Sequence, residues 1–263
     1  MKTVETTATR LAYRRWGSGE PLILLHPLAL SGELWEPLAE TLSDEFDVLA
    51  VDLRGHGGSE WDGKPFTIED LARDLADALD SLGLDKISLL GLSMGGSVAV
   101  TFAGLFPGRV RSLVLADTTA WYGEDAVKAW TERAEKARDV PRLKQVPFQL
   151  DRWFSPEFRE NHAAEADRVV QIFLHTDSEA HGAASVAMGE LDSRALLPAV
   201  RASTLVLVGE HDYATPPSMA EALAAGITGA TLEVLPGLRH MSLIERPALA
   251  ARIRAHLSTV EAQ

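Results

Sequence analysis

The chain of 263 residues contains no cysteine. Disulfides, thiolate nucleophiles and cysteine-bound zinc are therefore excluded. Positive charge is scarce: 25 Lys and Arg stand against 38 Asp and Glu, a net charge of −13. Nucleic acid and anionic membrane surfaces repel such a chain, so neither is expected as a partner. An anionic small molecule stays open, because a few arginines can reverse the field inside one pocket. Met1 to Tyr13 hold no apolar run of the signal-peptide kind, which points to the cytoplasm. There is no internal repeat and no low-complexity segment. The longest stretch without charge lies between Lys86 and Arg109. Glycines and serines interrupt it, which argues against a membrane span and for a helix buried on all sides in an α/β protein.

Apolar residues make up 46% of the chain and charged residues 24%, enough for one large core. Short apolar runs read as buried strands: Pro21–Leu25, Val48–Val51, Ile87–Leu90, Arg111–Ala116, Thr204–Val208 and 231–235. Residues 3–16 alternate as two edge strands. Helices are expected at Trp35–Ser43, Ser97–Phe106, about 217–225 and from near Pro247. Another runs from Thr67 to Leu82, with Thr67 as N-cap and Ile68, Leu71, Leu75, Ala78, Leu79 and Leu82 on one face. Strands alternating with helices imply a parallel sheet. The rhythm breaks from about 121 to 190, a charged, helical stretch with no convincing strand. Core segments 1–120 and 191–263 thus enclose a helical cap, 121–190.

The centre of the chain is Gly91-Leu92-Ser93-Met94-Gly95, a G-x-S-x-G pattern between an apolar strand and an apolar helix. A strand that turns straight into a helix needs a strained apex. A Cβ at Gly91 or Gly95 would collide with the adjoining strand or helix. The apex serine projects from the sheet, and the helix behind it aims backbone N–H groups at whatever Ser93 attacks. The pattern is weak alone, and an ordinary glycine-rich turn is the bland alternative; the strand–turn–helix context gives it weight.

Serine needs a base, and the base needs an orienting carboxylate. His240 lies in a loop after the last strand and is the expected base. Asp212 follows an earlier strand and is the expected acid. Both belong at the carboxyl edge of the sheet, where open α/β folds bind ligands. Glu210 and Asp117 compete for the acid's role. His26 and His56 read as structural, His211 stands too early in the chain, and His162, His175, His181 and His256 lie in the insertion or the last helix. Pro27 has no N–H, so the amides of Leu28 and Met94 are the expected oxyanion hole. No metal and no organic cofactor is expected, since no zinc-type histidine cluster and no G-x-G-x-x-G turn after a strand occurs.

With these motifs in place, the chain resembles the α/β-hydrolase superfamily over nearly its full length. The matching residues are His26-Pro27-Leu28, Asp52-Leu53-Arg54-Gly55-His56-Gly57-Gly58-Ser59, Gly91 to Gly96, Gly209-Glu210-His211-Asp212 and His240. Within it the chain is most similar to the 3-oxoadipate enol-lactonases, on Gly91 to Gly96, Arg152 to Arg159 and Gly209 to Pro217. It departs from them at His26 to Leu30 and at Leu238 to Ser242. The resemblance implies a mostly parallel eight-stranded sheet with helices on both faces and a helical cap. It also implies a serine hydrolase that cleaves a lactone or carboxylic ester, with a small-molecule substrate from aromatic-compound catabolism. A general carboxylesterase, a relative of the cofactor-free haloperoxidases and a small-ligand receptor on the same fold are the alternatives. An enol-lactone of this type carries a carboxylate. Among Arg133, Arg138, Arg142, Arg152, Arg159 and Arg168 of the insertion, Arg152 is the expected partner, because Trp153 and Phe154 follow it. Trp121 and Trp153 are expected beside it. The sequence leaves the oligomeric state open.

Overall fold

The computed structural model describes residues 1–258. Eight strands form one sheet in the order β1-β2-β4-β3-β5-β6-β7-β8. They are β1 (Lys2–Glu5), β2 (Arg10–Trp16), β3 (Glu20–Leu25), β4 (Phe46–Val51), β5 (Ile87–Leu92), β6 (Val110–Ala116), β7 (Ser203–Gly209) and β8 (Thr231–Leu235). β1 and β2 are antiparallel to their neighbours, and β3 to β8 are parallel. The parallel strands therefore all end on one edge.

The helices are α1 (Glu36–Leu42), α2 (Ile68–Ser81), α3 (Met94–Leu105), α4 (Ala126–Asp139), α5 (Arg142–Trp153), α6 (Pro156–Asn161), α7 (Ala163–His175), α8 (Ser178–Gly189), α9 (Pro217–Gly226), α10 (Ser242–Glu245) and α11 (Leu249–Ser258). Strand side chains alternate between the faces. Ile23, Leu25, Leu49, Leu89, Leu113 and Val206 pack with α2, α3 and α9. Leu22, Leu24, Val48, Leu90, Val114 and Leu205 pack with α1 and α11. Both faces are covered, so the strands read as near-continuous apolar runs. Helix α3 runs through the centre, and Met94 to Gly104 are all buried.

Helix α2 begins where the sequence placed it. Thr67 accepts from the Asp70 amide, and the Asp70 side chain accepts from the Thr67 amide, a reciprocal cap. The last helix starts near Pro247, as expected. It begins at Leu249, two residues past Pro247, because the short α10 and the turn after it occupy Ser242 to Ala248. Between β6 and β7 stand the five helices α4 to α8. An isolated bridge from Trp121 to Asp192 joins the two ends of this insertion. Its residues Trp130, Ala184 and Met188 join the core on one sheet face, and Trp153, Phe154 and Phe173 join the other. The insertion thus straddles the sheet edge.

Candidate active site

Ser93 sits between β5 and α3 with φ 54° and ψ −119°. A non-glycine residue in such a conformation costs of order 1–3 kcal/mol and persists only when its surroundings over-determine it. They do here. The Ser93 amide donates to the Ala116 carbonyl at 2.9 Å, and its carbonyl accepts from Ser97 N at 2.9 Å and Thr118 Oγ1 at 2.6 Å. A Cβ on Gly91 would lie 2.2 Å from the Gly95 carbonyl oxygen, and one on Gly95 would lie 2.2 Å from that of Leu25. The first collision is with the helix and the second with the neighbouring strand.

Three side chains from the ends of β5, β7 and β8 meet at the edge. His240 Nε2 lies 2.9 Å from Ser93 Oγ, and His240 Nδ1 lies 2.8 Å from Asp212 Oδ2. Asp212 Oδ1 accepts from the Ala214 and Thr215 amides at 2.8 and 3.0 Å, and Oδ2 accepts from Thr215 Oγ1 at 2.7 Å. Burial alone would raise the Asp212 carboxyl. Its pairing with His240 and these hydrogen bonds outweigh it and hold the group below the ordinary range. Asp212 is therefore anionic and fixes a proton on His240 Nδ1, leaving Nε2 to accept from Ser93.

The loop after β3 is braced by two imidazoles. His26 Nδ1 donates to the Pro27 carbonyl at 2.8 Å, and its Nε2 accepts from Leu53 N at 2.9 Å. His56 Nδ1 donates to the Arg54 carbonyl at 3.0 Å, and its Nε2 accepts from Ala29 N at 3.3 Å. Burial lowers His26 to about 4 and His56 to about 3, so both are neutral. They hold His26 to Leu30, and with them the Leu28 amide, against the Asp52 turn. Met94 is the first residue of α3, so its amide has no acceptor within the helix.

Asp117 follows β6 directly and makes no hydrogen bond to His240. Its Oδ1 accepts from Gly209 N at 2.9 Å, and its Oδ2 accepts from Ser242 N at 3.0 Å and Ser242 Oγ at 2.6 Å. Burial, then repulsion from Asp212, raises its carboxyl well above the usual range despite those donors. It ties together the two chain segments that carry Asp212 and His240. Glu210 points elsewhere and accepts from Gly237 N at 2.9 Å.

The end of α5 is laced to the same two loops. The Trp153 carbonyl accepts from Met241 N at 3.0 Å, Asp151 accepts from Tyr213 OH at 3.1 Å and from Arg239 Nη1 at 3.0 Å, and Ser155 N donates to Glu245 at 2.9 Å. This places Arg152 within electrostatic reach of Asp212 and Tyr122. Arg152 is buried, and its Nε has no hydrogen-bond partner. Burial lowers its basicity, opposed by Tyr122 and Asp212. Among the described residues no carboxylate pairs with it, whereas Arg138, Arg159 and Arg168 pair with Glu179, Asp151 and Glu165. Helix α5 stops at Trp153 and Phe154 is extended, so Arg159 does not continue its face. Trp153 packs edge-on against Phe173 with centroids 5.5 Å apart. Trp121 lies at the insertion's neck with the Arg194 guanidinium 3.8 Å over its ring.

Sequence reasoning missed Thr215 and Tyr122 and passed over Arg142 in favour of Arg152. Thr215, three residues after Asp212, was legible as a side chain that returns to its own turn. Arg142, with Nε and Nη1 buried and unpartnered, and Tyr122, with a buried unpartnered hydroxyl, carried no local signal.

A parallel sheet with a strained serine elbow, a histidine and a carboxylate in line defines a hydrolase of the α/β class. The family model described as "alpha/beta hydrolase fold" matches residues 20–247, and the chain belongs to that family. It is an enzyme of the carboxylic ester hydrolase type. It is 28% identical over 247 residues to 3-oxoadipate enol-lactonase 2 of Acinetobacter baylyi, covering 93% of this chain and 91% of that protein. The enol-lactonase of Burkholderia xenovorans superposes with a TM-score of 0.92 at 31% identity, over 98% of this chain and 100% of the other. A thermophilic esterase of Thermogutta terrifontis, solved with malate bound, superposes with a TM-score of 0.91 at 35% identity, over 98% of each chain.

Proposed function

We propose that the chain hydrolyses a small carboxylate-bearing lactone or ester through an acyl-serine, an enol-lactone of the 3-oxoadipate type being the best-supported substrate. The carrying observation is the line from Ser93 Oγ through His240 to Asp212, at 2.9 and 2.8 Å. Ser93 Oγ attacks the carbonyl carbon as its proton passes to His240 Nε2. The tetrahedral oxyanion is received by the amides of Leu28 and Met94, each worth about 3–4 kcal/mol in comparable sites. The C–O bond then breaks, and His240 delivers the proton to the leaving oxygen. Water, deprotonated by His240, releases the acid and restores Ser93.

Arg152 supports the carboxylate in this reading. A buried guanidinium without an anionic partner is costly, and a ligand carboxylate would complete it. Helices α4 to α8 then act as the cap, with Trp153 in its wall. The names of the relatives, enol-lactonases and an esterase holding malate, point the same way. Turnover of the enol-lactone is compared with that of a neutral ester of similar size. A higher kcat/KM for the anionic substrate is expected. Equal values reduce the reading to a general carboxylesterase, and tight binding without turnover points to a receptor.

A further inference from the structure

A cleft of about 300 Å³ opens among the helices of the insertion. Arg133 and Lys136 of α4 and Lys144 and Phe148 of α5 stand along it, with Gln149 and His181 among its buried walls. Among the described residues no acidic one lines it. In a chain of net charge −13 that is a local reversal of sign. The helical period explains it. Arg133, Lys136 and Val140 are spaced three and four residues apart and share one face. Glu132, Glu135 and Asp139 repeat the spacing one residue earlier, about 100° around the helix. The Arg133 guanidinium sits 4.4 Å over the Trp130 ring and 6.0 Å from that of Phe148. Phe148 itself is 55% exposed.

The inner wall of the cleft adjoins the half-buried Arg142. Arg142 Nη2 donates to His181 Nδ1 at 3.4 Å. His181 lies within electrostatic reach of Arg142, His56 and Arg152, and Arg152 within reach of Asp212. Burial, then Arg142, keeps His181 uncharged, so it adds no barrier of its own to an anion. Ser93 is only 3% exposed and His240 is buried.

We propose that this cleft is the vestibule for a small organic carboxylate, which Arg133, Lys136 and Lys144 gather and which passes Gln149 and His181 to Arg142 and Arg152. The inference rests on the hydrolase reading above and adds the route and the selection by charge. The three cations create an attractive field that the protein's overall charge would otherwise deny. Clefts lined by one sign of charge raise association rates by about 10- to 1000-fold, and salt screens the effect over about 8 Å at physiological ionic strength.

The test uses the full chain and two chromogenic substrates, the p-nitrophenyl monoester of adipate and neutral p-nitrophenyl valerate. The readout is the ratio of their kcat/KM values at about 20 and about 500 mM NaCl, which brackets weak and strong screening. Lys136→Glu/Lys144→Glu reverses the cleft. Lys86→Glu/Lys128→Glu makes the same change of net charge at exposed positions outside it. The cleft variant should lower the anion-to-neutral ratio about tenfold at low salt, with most of the difference gone at high salt. The control pair should keep the wild-type ratio. A cleft variant with the wild-type ratio, or two variants that lower it alike, overturns the vestibule and leaves the hydrolase reading standing. A wild type that hydrolyses neither ester overturns both.

Discussion

The carboxyl edge of the sheet and the helical insertion treat buried charge in opposite ways. At the edge, the oxygens of Asp117 and Asp212 each accept at least one hydrogen bond, and Asp52 accepts from Gly32 N at 2.7 Å and Gly58 N at 2.8 Å. His26 and His56 use both ring nitrogens. In the insertion, Arg142 and Arg152 keep buried nitrogens without partners, and so does the Tyr122 hydroxyl. The edge is complete without a ligand, and the insertion is not. Chemistry needs groups held in place before the substrate arrives, because reorganisation during reaction raises the barrier. Binding gains most from polar groups whose desolvation only the right ligand compensates.

The sharpest way to break this comparison is at Ser93. Ser93→Ala should reduce hydrolysis by about 10⁴-fold or more in a chain whose melting temperature matches wild type. Retained activity would remove the edge's catalytic role. Next come the two neighbouring carboxylates. Asp212→Asn should cost about 10⁴-fold in kcat, since it favours the wrong tautomer of His240. Asp117→Asn should cost about tenfold, the effect of weakening a buried hydrogen-bonded brace by about 1–2 kcal/mol. The reverse ranking would make Asp117 the triad acid. Arg152→Ala should raise KM for the anionic substrate by about tenfold and leave that for a neutral ester within a factor of about two, from the loss of one charge-assisted contact. Equal effects would mean that Arg152 only supports the insertion.

The smallest effect concerns acid. Burial depresses His26 to about 4, His56 to about 3, and His181 below its ordinary value. In the unfolded chain they titrate near 6.5. Unfolding therefore takes up protons below that pH. The stability these neutral rings contribute is full above about 6.5 and is lost as pH falls toward 4. Asp117, raised by burial, acts in the opposite sense and offsets part of the loss. The melting temperature should hold between pH 8 and 7 and decline by several degrees between 6.5 and 4.5. A flat profile through that window would mean that the imidazoles do not brace the edge.

The elbow could be read from residues alone because it is local. Gly91 and Gly95 are needed wherever a strand bends into a helix within one residue, whatever surrounds them. The sheet was legible for a related reason: strands buried on both faces must be short apolar runs, and β3 to β7 are. Asp212 and His240 could be placed at the same edge by counting strands, since parallel strands end together. Their pairing over Asp117 or Glu210 could not be read that way. Asp117 and Asp212 both follow core strands, and only the tertiary arrangement turns Asp117 toward Gly209 and Ser242. The insertion was still less legible. Nothing in the spacing of its arginines says which ones find carboxylates. Arg138, Arg159 and Arg168 do, while the half-buried Arg142 and the buried Arg152 have none. Sequence determined the elements whose physics is local: the strained turn, the apolar strands and the capped helix. Ion pairing and burial depend on residues far apart in the chain, so only the folded arrangement decided which carboxylate faces His240 and which cations are left without a carboxylate partner.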